Sequence, residues 1–198
     1  MLNGCNSLEA DAFVIPEFLM SGQAQTNKSN ILKRMTRYVD EKHAKQALEY
    51  YNIKTDNDAF LAYNDFLSTW WFIYPHHCWN RYLAGTGKTD IYRYYFDKEN
   101  HYYQGYHSGE MVYAYGNVRG DTKTYRFNES DYELSDIMLS YWSNFAKTGN
   151  PNGEGLPVWN KWSESENKVQ LLGATVEPIS DKHKALYDIF DDYCSSLE

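Results

Sequence analysis

The sequence predicts an α/β fold, an incomplete doubly wound and mainly parallel sheet with helices on it. Three observations carry that expectation. Ile91-Tyr92-Arg93-Tyr94-Tyr95-Phe96 is a short run of β-branched and aromatic residues bounded by Gly and Asp, the composition of a buried strand. The stretches from Ser29 to about Ala84 and from Ser130 to Gly149 repeat their apolar residues at helical spacing. The order helix, strand, loop, helix toward the C-terminus is that of the closing units of such a sheet, with the opening units missing.

In chain order, Met1 to Asn6 reads as a strand that begins abruptly, with no neighbour nearby in sequence for it to pair with. In the first helical stretch Ala44, Leu48 and Tyr51 share one face, and Phe60, Tyr63 and Leu67 another. Pro75 is expected in the first turn of a further short helix, stopped at Gly85-Thr86-Gly87. The strand at 91–96 then delivers the chain toward His107. Ser130-x-x-Glu133 forms a capping box, behind which Leu134, Ile137, Met138, Tyr141, Trp142 and Phe145 recur until Gly149 and Pro151 end the helix. Val169 to Leu172 and Thr175 to Ile179 suit a short hairpin, after which Ser180 caps a last helix through Leu186, Ile189, Phe190 and Tyr193. Parallel strands so far apart in sequence need others between or beside them to form a buried sheet. No repeat or long linker divides the chain, so 1–198 is taken as a single incomplete domain.

Composition bounds the function. With 42% hydrophobic and 17% aromatic residues the chain has the material for a core. Its 19 Lys+Arg against 27 Asp+Glu give a formal charge of −8 and no basic block to track a phosphate backbone, which argues against nucleic acid as a partner. Apolar runs such as Trp70-Trp71-Phe72-Ile73-Tyr74 fall far short of the roughly 20 residues of a membrane span, and no signal peptide follows Met1, so the compartment is unknown. Cys5, Cys78 and Cys194 match no disulfide or metal framework. Consecutive His76 and His77 point in different directions, so His76-His77-Cys78 with His101 does not read as a metal site. Gly85-Thr86-Gly87-Lys88-Thr89 imitates the end of a P-loop, but Tyr82 stands where that motif requires glycine. No cofactor is expected.

The chemistry points to one turn. Gly105-Tyr106-His107-Ser108-Gly109-Glu110 follows the aromatic strand and precedes Met-Val-Tyr-Ala-Tyr-Gly, the position in which an α/β-hydrolase carries its general base. Neither a Gly-x-Ser-x-Gly elbow nor an HGGG-type oxyanion stretch occurs in the 198 residues. Ser108 sits beside the histidine, but adjacent residues on an extended loop point apart, so it does not read as a nucleophile.

Four segments in order make the chain resemble the type B carboxylesterases, which include cholinesterases and bacterial para-nitrobenzyl esterases. They are Gly4-Cys5-Asn6-Ser7-Leu8-Glu9-Ala10-Asp11-Ala12-Phe13, His107 to Gly116, Tyr141-Trp142-x-x-Phe145-Ala146-Lys147-Thr148-Gly149-Asn150-Pro151-Asn152, and Leu156-Pro157-Val158-Trp159-x-x-Trp162. The resemblance implies the C-terminal part of an α/β-hydrolase fold, with Glu9 as the triad acid and His107 as the triad histidine. Asp11 is the alternative acid, two residues on and on the same side of an extended segment as Glu9. Glu110 and Ser108 are implied to stand around the histidine in support. Leu8, Ala10 and Ser108 depart from the family's usual acid, glycine and glycine, and Ser108 brings a Cβ where φ > 0 is in prospect.

The chain thus reads as a fragment of a serine carboxylic-ester hydrolase that carries acid and base, lacks the nucleophile, and is inactive alone. An ester is its substrate only once the missing N-terminal part completes it. An exposed sheet edge would then favour self-association. The alternatives are a non-catalytic binding or adhesion module of cholinesterase-like fold, a truncated relic, and a carbohydrate-facing surface built on the 19 tyrosines.

Overall fold

The computed structural model of the protein describes residues 1–15, 25–99, 105–119 and 127–198. Four strands, β1 (Leu2–Asn6), β2 (Tyr92–Asp97), β3 (Lys168–Gly173) and β4 (Val176–Ser180), form one sheet in that order. The first three run parallel: Leu2 faces Tyr92 and Asn6 faces Phe96 across the first pair, and Tyr94 faces Gln170 across the second. β4 returns antiparallel as the second arm of a hairpin with β3, Val169 facing Ile179. The neighbour that β1 lacks locally is therefore β2, the strand read from the aromatic run. Pro178 is confined to the edge strand, where a missing N–H costs no ladder bond. Gly4 makes the β1–β2 contact close, since a Cβ there would lie 2.4 Å from the Tyr94 ring.

The chain forms two compact units. Met1–Glu9 and Pro75–Asp181 make the first, which holds the sheet. On one face the 20-residue helix Glu129–Thr148 packs Leu134, Met138 and Tyr141 against Tyr92, Phe96, Leu172 and Trp159. Aromatic edges set the fit: Tyr94 lies 5.4 Å from Trp142 and Phe96 5.3 Å from Tyr113, ring centre to ring centre. β2 is buried on both faces, as a central parallel strand must be. From its other face Arg93 reaches Asp181 at 3.0 Å and His77 Nδ1 at 3.4 Å. The guanidinium and the carboxylate are both almost fully buried, and pairing is what makes that burial tolerable.

The Glu129–Thr148 helix begins two residues earlier than the Ser130-x-x-Glu133 expectation. Its N-cap is Asn128, whose Oδ1 accepts from the Ser130 N–H at 2.9 Å. Asp131 closes the box by accepting from the Asn128 N–H at 2.8 Å. Asn is as good a cap as Ser, and the deciding factor is that Asp131 is fully buried and also receives the Tyr113 hydroxyl at 2.7 Å. Gly149 ends the helix at φ 77, as the sequence indicated.

The second unit, Ala10–Tyr74 and Lys182–Glu198, is helical. Helices Ile31–Met35, Glu41–Tyr50, Asp56–Ser68 and Lys184–Ser195 surround Met35, Tyr63, Phe66, Leu67, Leu186 and Phe190, with Phe66 and Trp70 both set edge-on to Phe190. Thr69–Ile73 is a single π turn, from which Trp70 packs onto Phe190 while Trp71 and Phe72 both pack onto Phe13. The helix with Pro75 in its first turn, Tyr74–Thr86, is 13 residues long rather than short and follows that turn without a break. Ser180 does not cap the last helix. It ends β4 opposite Lys168, and the helix starts after His183, which makes no side-chain cap. No helix among the described residues is long and apolar enough to cross a membrane.

Replacing Asp131 with Ala removes the capping acceptor and leaves the buried Tyr113 hydroxyl and Lys98 ammonium without their carboxylate. The expected loss is about 3 kcal/mol, from the cost of stripping one partner from a buried charged network. Urea unfolding followed by tryptophan fluorescence checks it, and an unchanged midpoint would contradict the role given to this residue.

Candidate active site

Parallel pairing sends the C-terminal ends of β1 and β2 to the same edge of the sheet, where α/β folds place their ligands. The pairing continues past the strands: the Ser7 N–H donates to the Phe96 carbonyl at 2.9 Å, the Leu8 N–H to the Gly105 carbonyl at 2.9 Å, and Leu8 bridges Tyr106 in parallel register. The chain leaving β1 therefore lies alongside the 105–110 loop, and Glu9 meets His107.

His107 Nδ1 is 2.6 Å from Glu9 Oε2. The other carboxylate oxygen, Oε1, accepts the Asn6 backbone N–H at 2.8 Å. Glu9 is 9% exposed by its side chain and His107 38%, so the acid is held inside while the ring keeps a face to solvent. A carboxylate accepts only, so against one the proton of this bond sits on Nδ1 and the bond orients the ring.

The loop needs its unusual backbone. Gly105 has φ +55, and a Cβ there would come 1.9 Å from Ser7 Oγ. Ser108 has φ 65, so the positive φ in prospect at that departure from the family's glycine is present. Its side chain is exposed, and the Met111 N–H donates to its carbonyl at 3.2 Å. Gly109 closes the turn onto the Tyr106 carbonyl at 2.8 Å.

Glu110 joins the site through Asn6: its Oε2 accepts from Asn6 Nδ2 at 2.5 Å, and the same amide donates to the Tyr106 carbonyl at 2.7 Å. Burial pushes the Glu110 carboxyl up, against the Asn6 bond that favours its charged form. Asp11 does not lie on an extended segment. Residues 11–15 form a helical turn, the Asn64 amide donates to Asp11, and burial raises its carboxyl. Burial and the Glu9 charge hold the Cys5 thiol in its neutral form, 3.0 Å from His76 Nδ1, while His77 lies by Arg93. His76 and His77 do diverge as consecutive residues should; His101 lies outside the described residues. None of the three cysteines forms a disulfide among the described residues.

Sequence reasoning brought Glu9, His107 and Glu110 to one place but passed over Asn6. The available signal was a polar residue at the end of the strand, three positions before Glu9.

Residues 1–188 match the family described as "Carboxylesterase family". Among curated proteins the chain is 34% identical over 125 residues to carboxylesterase 5A of Canis lupus familiaris, a match covering 58% of this chain and 21% of that protein. It is 36% identical over 81 residues to carboxylesterase 1C of Mus musculus, covering 41% and 14%. It is 40% identical over 65 residues to the cocaine esterase of Homo sapiens, covering 33% and 11%. The matched region is thus a minor part of the length of these relatives.

Gly105→Ala is expected to destabilise the protein by at least about 2 kcal/mol, through left-handed backbone strain and the clash with Ser7. A thermal melt measures it, and a variant as stable as its parent would show that the loop relaxes without the turn described.

Proposed function

The chain belongs to the carboxylesterase family, and from that premise we propose that it supplies the acid and the base of a serine-type carboxylic-ester hydrolysis. The observation that carries the proposal is the 2.6 Å bond between Glu9 Oε2 and His107 Nδ1. Glu9 holds the Nδ1 proton, so Nε2 is the nitrogen that works as base: it takes the proton of a serine hydroxyl as that oxygen attacks the ester carbonyl, and returns it to the leaving alkoxide. Water then repeats the cycle on the acyl-enzyme. The buried Glu9 carboxylate stabilises the imidazolium in both halves without itself taking the proton.

The serine and the oxyanion donors come, on this reading, from sequence beyond these 198 residues, since no Gly-x-Ser-x-Gly occurs within them. Ser108 is not a candidate: its neighbour is the base itself, and its side chain points to solvent. The outer edge of β1, which pairs with nothing among the described residues, is where a further parallel strand would add. Left open, the same edge favours self-association of the isolated chain. A purely adhesive module has no use for a buried acid hydrogen-bonded to a half-exposed histidine, and that pair is why hydrolysis is preferred to binding.

The test is para-nitrophenyl acetate hydrolysis by the 198-residue chain, alone and co-expressed with a carboxylesterase N-terminal segment bearing Gly-x-Ser-x-Gly. Alone it should give only the buffer rate. The complemented protein should show saturable turnover that falls by about 10³-fold or more in His107→Ala, the scale on which loss of a triad member reads. Saturable turnover by the chain alone, abolished in His107→Ala, would overturn the proposal by revealing a nucleophile within it.

A further inference from the structure

We propose that Asn6 is the positioning residue of the site: one buried amide that locks the acid-bearing chain to both flanks of the histidine loop. The inference rests on the reading of Glu9 and His107 as acid and base, and concerns what keeps their bond short.

Asn6 is the last residue of β1 and is fully buried. Its backbone N–H goes to Glu9 Oε1 at 2.8 Å, and its side-chain Nδ2 divides two donors between the Tyr106 carbonyl at 2.7 Å and Glu110 Oε2 at 2.5 Å. One residue therefore grips the acid with its main chain, and with its side chain the residue just before His107 and the residue three after it. These contacts cross 100 and 104 positions of sequence.

The orientation of the amide is determined by chemistry. Both partners are acceptors, so only the NH2 end can face them. The Oδ1 end is buried and has no hydrogen-bond partner among the described residues. A fold that keeps a buried, unpaired acceptor is using the residue for its two donors, since an apolar side chain would avoid the cost and tie nothing. Aspartate has the same shape and no donor. Glutamine at 110 still offers an oxygen to Nδ2, so the tie does not need the Glu110 charge. It needs N–H on one side and C=O on the other.

The readout is the proton shared by His107 Nδ1 and Glu9, which in so short a bond resonates downfield of the amide envelope in the 1H spectrum of 15N-labelled protein. In the parent and in Glu110→Gln this resonance should be present and slow to exchange with solvent. In Asn6→Asp, with near-UV circular dichroism unchanged, it should exchange at least tenfold faster or vanish. In the double variant Asn6→Asp/Glu110→Gln, which restores a donor facing an acceptor at one of the two contacts, it should return in part. A merely structural role for Asn6 predicts no such rescue. Should Asn6→Asp not fold, Glu110→Ala decides, because it takes away one anchor of the amide: faster exchange supports the proposal and an unchanged rate overturns it. A resonance that survives unaltered in folded Asn6→Asp overturns the proposal while leaving the acid–base reading intact. Its absence from the parent overturns that reading, and the positioning role with it.

Discussion

Parallel pairing of β1 with β2 is the constraint on which the rest of the site depends. The two strands lie 90 positions apart in register, Leu2 against Tyr92, and nothing local holds them together. Parallel strands point their C-terminal ends the same way, so the residues that follow each are delivered to one edge. Three residues past β1 stands Glu9; ten past β2 stands His107. A one-residue slip of that register would move Asn6 and Cys5 each to the other face and part Glu9 from His107.

Several features that look unrelated serve that register. Gly4 lets the Tyr94 ring cross close to the β1 backbone. Tyr92 and Phe96 anchor β2 from one face to Trp159, Tyr113 and the Glu129–Thr148 helix, while Arg93, paired with Asp181, anchors it from the other. A buried ion pair gives little net stability against an apolar substitute, but it tolerates one geometry only, and so specifies how β2 sits. Beyond the strands, the Ser7 and Leu8 main-chain bonds carry the pairing onward to the histidine loop. The Glu9–His107 geometry is an extension of the sheet ladder rather than a separate construction on the loop.

What the sequence made legible follows from the range of each interaction. The aromatic strand, the β3–β4 hairpin and the helix ending at Gly149 are written in local periodicity and turn residues, and they form within a residue or two of expectation. The capping box was read two residues late because Asn128 and Asp131 compete with Ser130 and Glu133 for the same role, and only the burial of Asp131 decides. Ser180 looked like a cap and is instead a ladder residue opposite Lys168, a pairing that a helix-start signal does not reveal. Asp11 was placed on an extended segment, whereas the chain turns helical there and gives it to Asn64. The segments around Glu9 and His107 single them out, and the structure brings the two side chains together. The role of Asn6 was not, because its partners are about 100 residues away and no spacing along the chain encodes them.

On the proposed function, Glu9 fixes which nitrogen of His107 is the base. The most direct measurement is the tautomer of that ring, read from long-range 1H–15N correlations of 15N-histidine-labelled protein at a pH where the imidazole is neutral. The proton is expected on Nδ1, facing Glu9, with the lone pair on Nε2. A ring carrying its proton on Nε2 would contradict it, since the nitrogen left to accept a serine proton would then be the one turned toward the carboxylate.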